Sequence, residues 1–163
     1  MGEFVVTLLT GLSSASALFL VASGLSIIFG VTRIVNFAHG SFYMLGAYFG
    51  WWLIDADGLG LGATALGFWG AIIVAAILVG LIGVAMEILL LRRIYKAPEL
   101  FQLIATFGVI LVIQDVALWM FGPEDLVGPQ APMLKGAVTI FGQPLPEYDL
   151  ALIALSPIVL VGL

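Results

Sequence analysis

Cysteine is absent from this chain, which removes disulfides, thiolate metal ligands and a catalytic thiol at once. Charge is scarce: 9% of the residues are Asp, Glu, Lys or Arg, against about a quarter in soluble domains, and that excludes a soluble globular domain. Five basic residues stand against ten acidic ones, and the resulting net charge of −5 argues against nucleic acid as a partner. Histidine occurs once, at His39, with no carboxylate at helical spacing from it, so no metal site is expected. Neither Lys96 nor Lys135 sits in a GxxxxGK[ST] phosphate loop, so ATP is expected to bind elsewhere. The opening MGEFVV lacks the basic region of a signal peptide, and Val6 stands where myristoylation requires Ser or Thr. No internal repeat is visible.

What is present is apolar sequence: 63% of the 163 residues are hydrophobic and the mean hydropathy is +1.23. Runs longer than the ~18 residues that mark a transmembrane candidate recur along the chain, as in an integral membrane protein rather than a soluble domain with one anchor. The first run, Phe4 to Thr32, has 29 residues and extends ~43 Å as a helix, more than the ~30 Å hydrocarbon core, so it is expected to tilt or break. Asn36 to Ile54 is barely long enough to span and ends in Trp51 and Trp52, ahead of the polar Asp55 to Gly62 turn. Leu61 to Leu91 and Leu100 to Phe121 are the third and fourth runs. The fifth, Leu150 to Leu163, has 14 residues and reaches ~21 Å, short of a crossing, so the chain is expected to be an N-terminal fragment or a truncated gene product, or else to have this segment stabilised by another chain. The fold class is therefore all-α: a polytopic transmembrane helical bundle, one domain over residues 1–163, with about five spans of which the last is incomplete.

Arg33 lies between the first two runs, and Arg92, Arg93 and Lys96 lie between the third and fourth. By the positive-inside rule these loops are cytoplasmic. Lys135 is the single basic residue on the opposite side, which receives Glu3, Asp55, Asp57 and an acidic loop over residues 122–149. With 28 residues and five prolines that loop exceeds ordinary connections, and it is expected to contact something outside. Within it, Ala137 to Phe141 followed by Gly142 and Pro144 reads as a short strand and turn. Trp51, Trp52, Trp69 and Trp119 fall toward outer ends and Tyr95 toward the inner side, as an aromatic belt requires.

Polar residues inside these runs are the candidate functional positions, because an ionisable group in hydrocarbon costs roughly 3 kcal/mol. Asn36, His39, Gly40 and Tyr43 share one helical face with Ala47 and Gly50, while Phe42, Leu45, Phe49 and Leu53 form a greasy stripe. The first four are the candidate substrate pathway. The competing reading makes Asn36 and His39 a structural break that satisfies backbone groups between two spans. His39 also qualifies as a proton relay, although no acid is near it in sequence. Gln114 and Asp115 form a candidate outer-mouth polar patch, or else pair with a neighbouring helix. Glu87 is expected to pair with Arg92 or Arg93 at the inner interface. Gly46 with Gly50, and Ala76 with Gly80 and Gly83, are small-residue seams for close helix packing.

The stretch VNFAHGSFYMLGAY closely resembles the signature near the N-terminus of permease subunits of branched-chain amino acid ABC importers. The likeness extends through RRIYKAPELFQLIATFGVILVIQDVALWMFG, which resembles the same family's basic loop and following span, and so covers nearly the whole chain. The resemblance implies a multi-pass protein of the bacterial inner membrane that pairs with a second related permease, two ATP-binding subunits and a periplasmic substrate-binding protein. It implies uptake of leucine, isoleucine or valine, with ATP and Mg used by the partner subunits and no cofactor or covalent chemistry in this chain. Related permeases carry urea or short amides with a similar NxAHG element, so that substrate class stays open. Family members are expected to be about twice this length, with the segment that engages the ATPase in the absent half. Two readings of other classes stand beside it. A membrane-embedded enzyme using His39 with Asp115 or Glu87 is opposed by their predicted depths, and a noncatalytic membrane scaffold fits a shortened chain.

Overall fold

A computed structural model describes residues 2–33, 36–56 and 58–162. The first apolar run forms one unbroken helix, α1 (Gly2–Thr32). Its hydroxyls do not interrupt it, because they bond back to carbonyls one turn earlier: Thr7 to Glu3 O at 2.8 Å and Ser14 to Thr10 O at 3.1 Å. The helix stops where Arg33 enters the left-handed region at φ 57° and donates its N–H to Phe29 O at 2.8 Å. Glycine usually fills such a C-terminal stop, so an arginine there is uncommon.

After α1 come α2 (His39–Ile54), a 3₁₀ turn (Leu61–Ala63), α3 (Ala65–Met86), a π turn (Glu87–Leu91), the single turn α4 (Arg92–Ile94) and α5 (Glu99–Phe121). A hairpin of β1 (Ala137–Ile140) and β2 (Gln143–Pro146) then leads into α6 (Glu147–Gly162). Among the described residues three helical stretches are long and apolar enough to cross a membrane: Gly2–Val31, Ala65–Ile94 and Glu99–Phe121. The other two expected spans are α2 and α6, of 16 residues each. At 1.5 Å per residue such a helix extends ~24 Å, less than the ~30 Å hydrocarbon core.

The chain divides into two compact units, one of Leu25–Pro129 and one of Met1–Gly24 with Gln130–Leu163. In the first, α2 packs against both α3 and α5. Phe121 stacks on Tyr48 with ring centroids 4.7 Å apart and meets Phe49 edge-on at 6.3 Å. Buried Ala38, Met86 and Leu91 form a small core with Phe42, Leu90, Ile94, Val109 and Ile110 packed around it. Thr64 starts α3 by accepting the Gly67 N–H at 3.0 Å, as an N-cap residue does. Gln102 closes the other end of this segment. Its amide nitrogen donates to the carbonyls of Ile94, Tyr95 and Ala97 at 3.3, 3.4 and 2.9 Å, satisfying groups left open where the helix ends.

In the second unit the strand and turn expected at residues 137–141 form an antiparallel hairpin pairing Ile140 with Gln143. The two turn residues, Phe141 and Gly142, both have positive φ, 51° and 81°, the pattern of a type I′ turn. Leu145 is fully buried, and the Glu147 N–H donates to Gly136 O at 3.0 Å to tie the hairpin to α6. The Ser13 hydroxyl donates to Asp149 Oδ1 at 2.8 Å, joining α1 to α6 by a charge-assisted bond.

Candidate functional site

Between α1 and α2 the chain turns on Asn36. Its side-chain Oδ1 accepts the Ala38 N–H at 3.1 Å and its carbonyl accepts the His39 N–H at 3.1 Å, an Asx turn that starts α2. Asn36 is buried and His39 half-buried. Both line a cavity of about 430 Å³ with Ile28 from the end of α1, Phe42 from α2, a wall of α3 and the π-turn residues Glu87 and Leu91. Gly80 and Gly83 lie in that wall, and a Cβ on either would meet nothing within 4 Å, so both leave room on the cavity side. The lining is apolar apart from Asn36, His39 and Glu87.

The π turn sets the position of Glu87. An i→i+5 turn widens the helix and redirects its side chains, and such turns recur at functional sites. Glu87 Oε1 accepts from the Tyr95 hydroxyl and lies 3.6 Å from Arg92 Nε, the ion pair expected from sequence. The Glu87 side chain is 30% exposed and that of Arg92 65%, so water screens the pair. The hydrogen bond to the Glu87 carboxylate pushes the Tyr95 phenol above its ordinary pKa, with burial and the carboxylate's charge adding to the shift and Arg92 opposing it.

The expected pathway residues do not all share this cavity. Tyr43, 62% exposed, lines a second cavity of about 360 Å³ with Tyr48 and Trp51 of α2 and with Glu124 and Asp125 beyond α5. Gly40 is exposed and has no neighbour near its Cβ position. Gly46 approaches α3, where its Cβ would lie 3.9 Å from Val79 Cγ2, whereas nothing lies within 4 Å of the Gly50 position and Ala76 is exposed. Gln114 and Asp115 are exposed on α5 and line neither cavity. Arg33, Arg93 and Lys96 are exposed. Among the described residues no three His, Asp or Glu side chains gather as a metal ion requires. Sequence reasoning missed Glu87 as a cavity residue, the π turn that carries it, and the acidic and aromatic lining of the second cavity. The one signal for Glu87 was a carboxylate standing inside an apolar run.

Residues 7–161 match the family described as the branched-chain amino acid transport system permease component. The chain belongs to that family. Among its relatives is the high-affinity branched-chain amino acid transport system permease protein LivH of Escherichia coli (strain K12), 29% identical over 131 residues, 77% of this chain and 41% of the relative. LivH of Salmonella typhimurium matches to the same extent, and BraD of Pseudomonas aeruginosa is 27% identical over 142 residues, 86% of this chain and 45% of BraD. This permease-family chain thus spans less than half the length of these relatives. No solved structure matches it significantly. The family and the three long apolar helices make it a helical membrane protein of permease type.

Proposed function

We propose that this chain is part of the membrane-spanning permease subunit of an ATP-driven ABC importer that carries leucine, isoleucine or valine across the bacterial inner membrane. The family match over residues 7–161 carries this reading, and relatives named for branched-chain amino acid transport support the substrate. The subunit is multi-pass and forms a single permease domain. It pairs with a second related permease, draws energy from two ATP-binding subunits that use ATP and Mg, and receives substrate from a periplasmic binding protein at the 122–149 loop. It holds no cofactor and performs no covalent step. Asn36, His39, Gly40 and Tyr43 belong to the substrate path, and Gln114 and Asp115 to its outer mouth. A buried Asn36 in a cavity whose lining is apolar but for it, His39 and Glu87 supports a path with few polar groups, which suits an amphiphilic substrate because tight binding in transit slows release.

The test is ATP-dependent uptake of labelled leucine and urea in vesicles holding the full-length gene product and its neighbouring subunits, comparing native protein with Asn36→Ala and His39→Ala. Leucine uptake that is present in native vesicles and largely lost in both variants, with assembly intact, is the expected result. Undiminished uptake reduces the motif to a structural turn, and uptake of urea alone overturns the substrate.

A further inference from the structure

We propose that the Asn36 cavity holds the amino acid itself in transit, with Glu87 accepting its α-ammonium group, the Asn36 amide nitrogen donating to its carboxylate, and the apolar wall taking its side chain. The proposal rests on the permease reading above and adds to it a specific clamp for a zwitterion.

Three observations converge on it. Asn36 is 5% exposed and its Oδ1 is committed to the Ala38 N–H, but no described residue accepts from its Nδ2, which carries two donors. Asn36 lines the cavity, so a ligand held there lies beside this side chain. A buried donor of this kind favours an acceptor brought by a ligand, and a carboxylate is the strongest available. The second observation is Glu87. Tyr95 and Arg92 both engage Oε1, and no described residue donates to Oε2, which leaves one carboxylate oxygen for a cation. The π turn begins at Glu87, which lines the same cavity as Asn36. Third, Phe42, Val79, Val84 and Leu91 complete the lining with aliphatic and aromatic surface, and about 430 Å³ is ample for a branched aliphatic side chain. One anion, one neutral donor and an apolar wall match an ammonium, a carboxylate and a hydrocarbon branch on a single small molecule. Urea and short amides offer Glu87 only neutral N–H donors, which bond a carboxylate more weakly than an ammonium group does.

Saturation-transfer NMR on the full-length permease tests the clamp with two probes that differ only at the amine, leucine and 4-methylpentanoate. Native protein is expected to favour leucine, and Glu87→Gln to weaken leucine about tenfold while leaving 4-methylpentanoate unchanged, the size expected for a hydrogen bond to a charged group. Tyr95→Phe and Arg92→Gln disturb the partners of Oε1 but keep the carboxylate, and both are expected to stay within about twofold of native. Equal binding of the two probes to native protein overturns the clamp. So does an equal loss of both in Glu87→Gln, or the same loss in Tyr95→Phe and Arg92→Gln. Native transporter that takes up no leucine at all overturns the permease reading, whereas native uptake with an unaffected Glu87→Gln variant overturns only the clamp.

Discussion

Tyr95 lies just beyond the membrane-spanning stretch that ends at Ile94, and its hydroxyl donates to Glu87 Oε1. The carboxylate disfavours a second negative charge beside it, so the phenol keeps its proton above its ordinary value of 10.0. A group whose pKa is raised on folding stabilises the folded state fully below the unfolded value. The contribution is lost as pH rises through the folded value. The Glu87–Tyr95 contact should therefore support the fold at neutral pH and fail only in strongly alkaline solution. Subtracting the tyrosinate absorbance titration of Tyr95→Phe from that of native protein isolates this phenol, which is expected to titrate above 10.0. In Glu87→Gln the same difference curve is expected to move down toward the ordinary value. A curve that does not move shows that the carboxylate is not the cause.

At the scale of elements, the turn between α2 and α3 depends on backbone contact. The Leu59 N–H donates to Trp52 O and the Gly60 N–H to Asp55 O, both at 2.8 Å. A Cβ at Gly58 would fall 1.9 Å from Trp52 O, a backbone atom with no room to retreat, whereas one at Gly50 would meet nothing within 4 Å. Gly58→Ala is expected to destabilise the protein by roughly 1–3 kcal/mol, the range for overpacking a tight site, and to lower its Tm in detergent, with Gly50→Ala close to native. The location of this turn was legible in the Asp55 to Gly62 composition, but the contact with Trp52 was not, because it depends on the path of the folded-back chain. The hairpin was legible for a local reason, since Gly142 and Pro144 punctuate a β-forming run. The π turn was not, because EILLL reads as ordinary helix and the wider turn has no marker in the residues themselves. The candidate site shows the same division. Asn36 and His39 stood out as polar residues in an apolar run, but helical spacing relates residues of one helix only. It grouped Tyr43 with them, where the structure places it on another cavity, and it had no means of bringing in Glu87 from the end of α3.

For the molecule as a whole, the remaining question is which side of the membrane each end of the Leu25–Pro129 unit faces. Here the charges flanking α5 make a prediction. Its 23 residues extend ~34 Å, enough to cross the ~30 Å hydrocarbon core. Arg92, Arg93 and Lys96 precede it and Glu124 and Asp125 follow it, all exposed, so the two ends differ in sign of charge. Positive charge is generally retained on the cytoplasmic side, which predicts Lys96 inside and Glu124 outside. These 163 residues contain no cysteine, so one introduced thiol reports its own position without competition from them. In intact spheroplasts a membrane-impermeant maleimide is expected to label Glu124→Cys at once and Lys96→Cys only after permeabilisation. The opposite order inverts the assigned orientation and moves the acidic end, with the second cavity beside it, to the cytoplasmic face. Labelling of both in intact spheroplasts shows that α5 does not cross, and with it falls the substrate path argued for the unit that α5 closes.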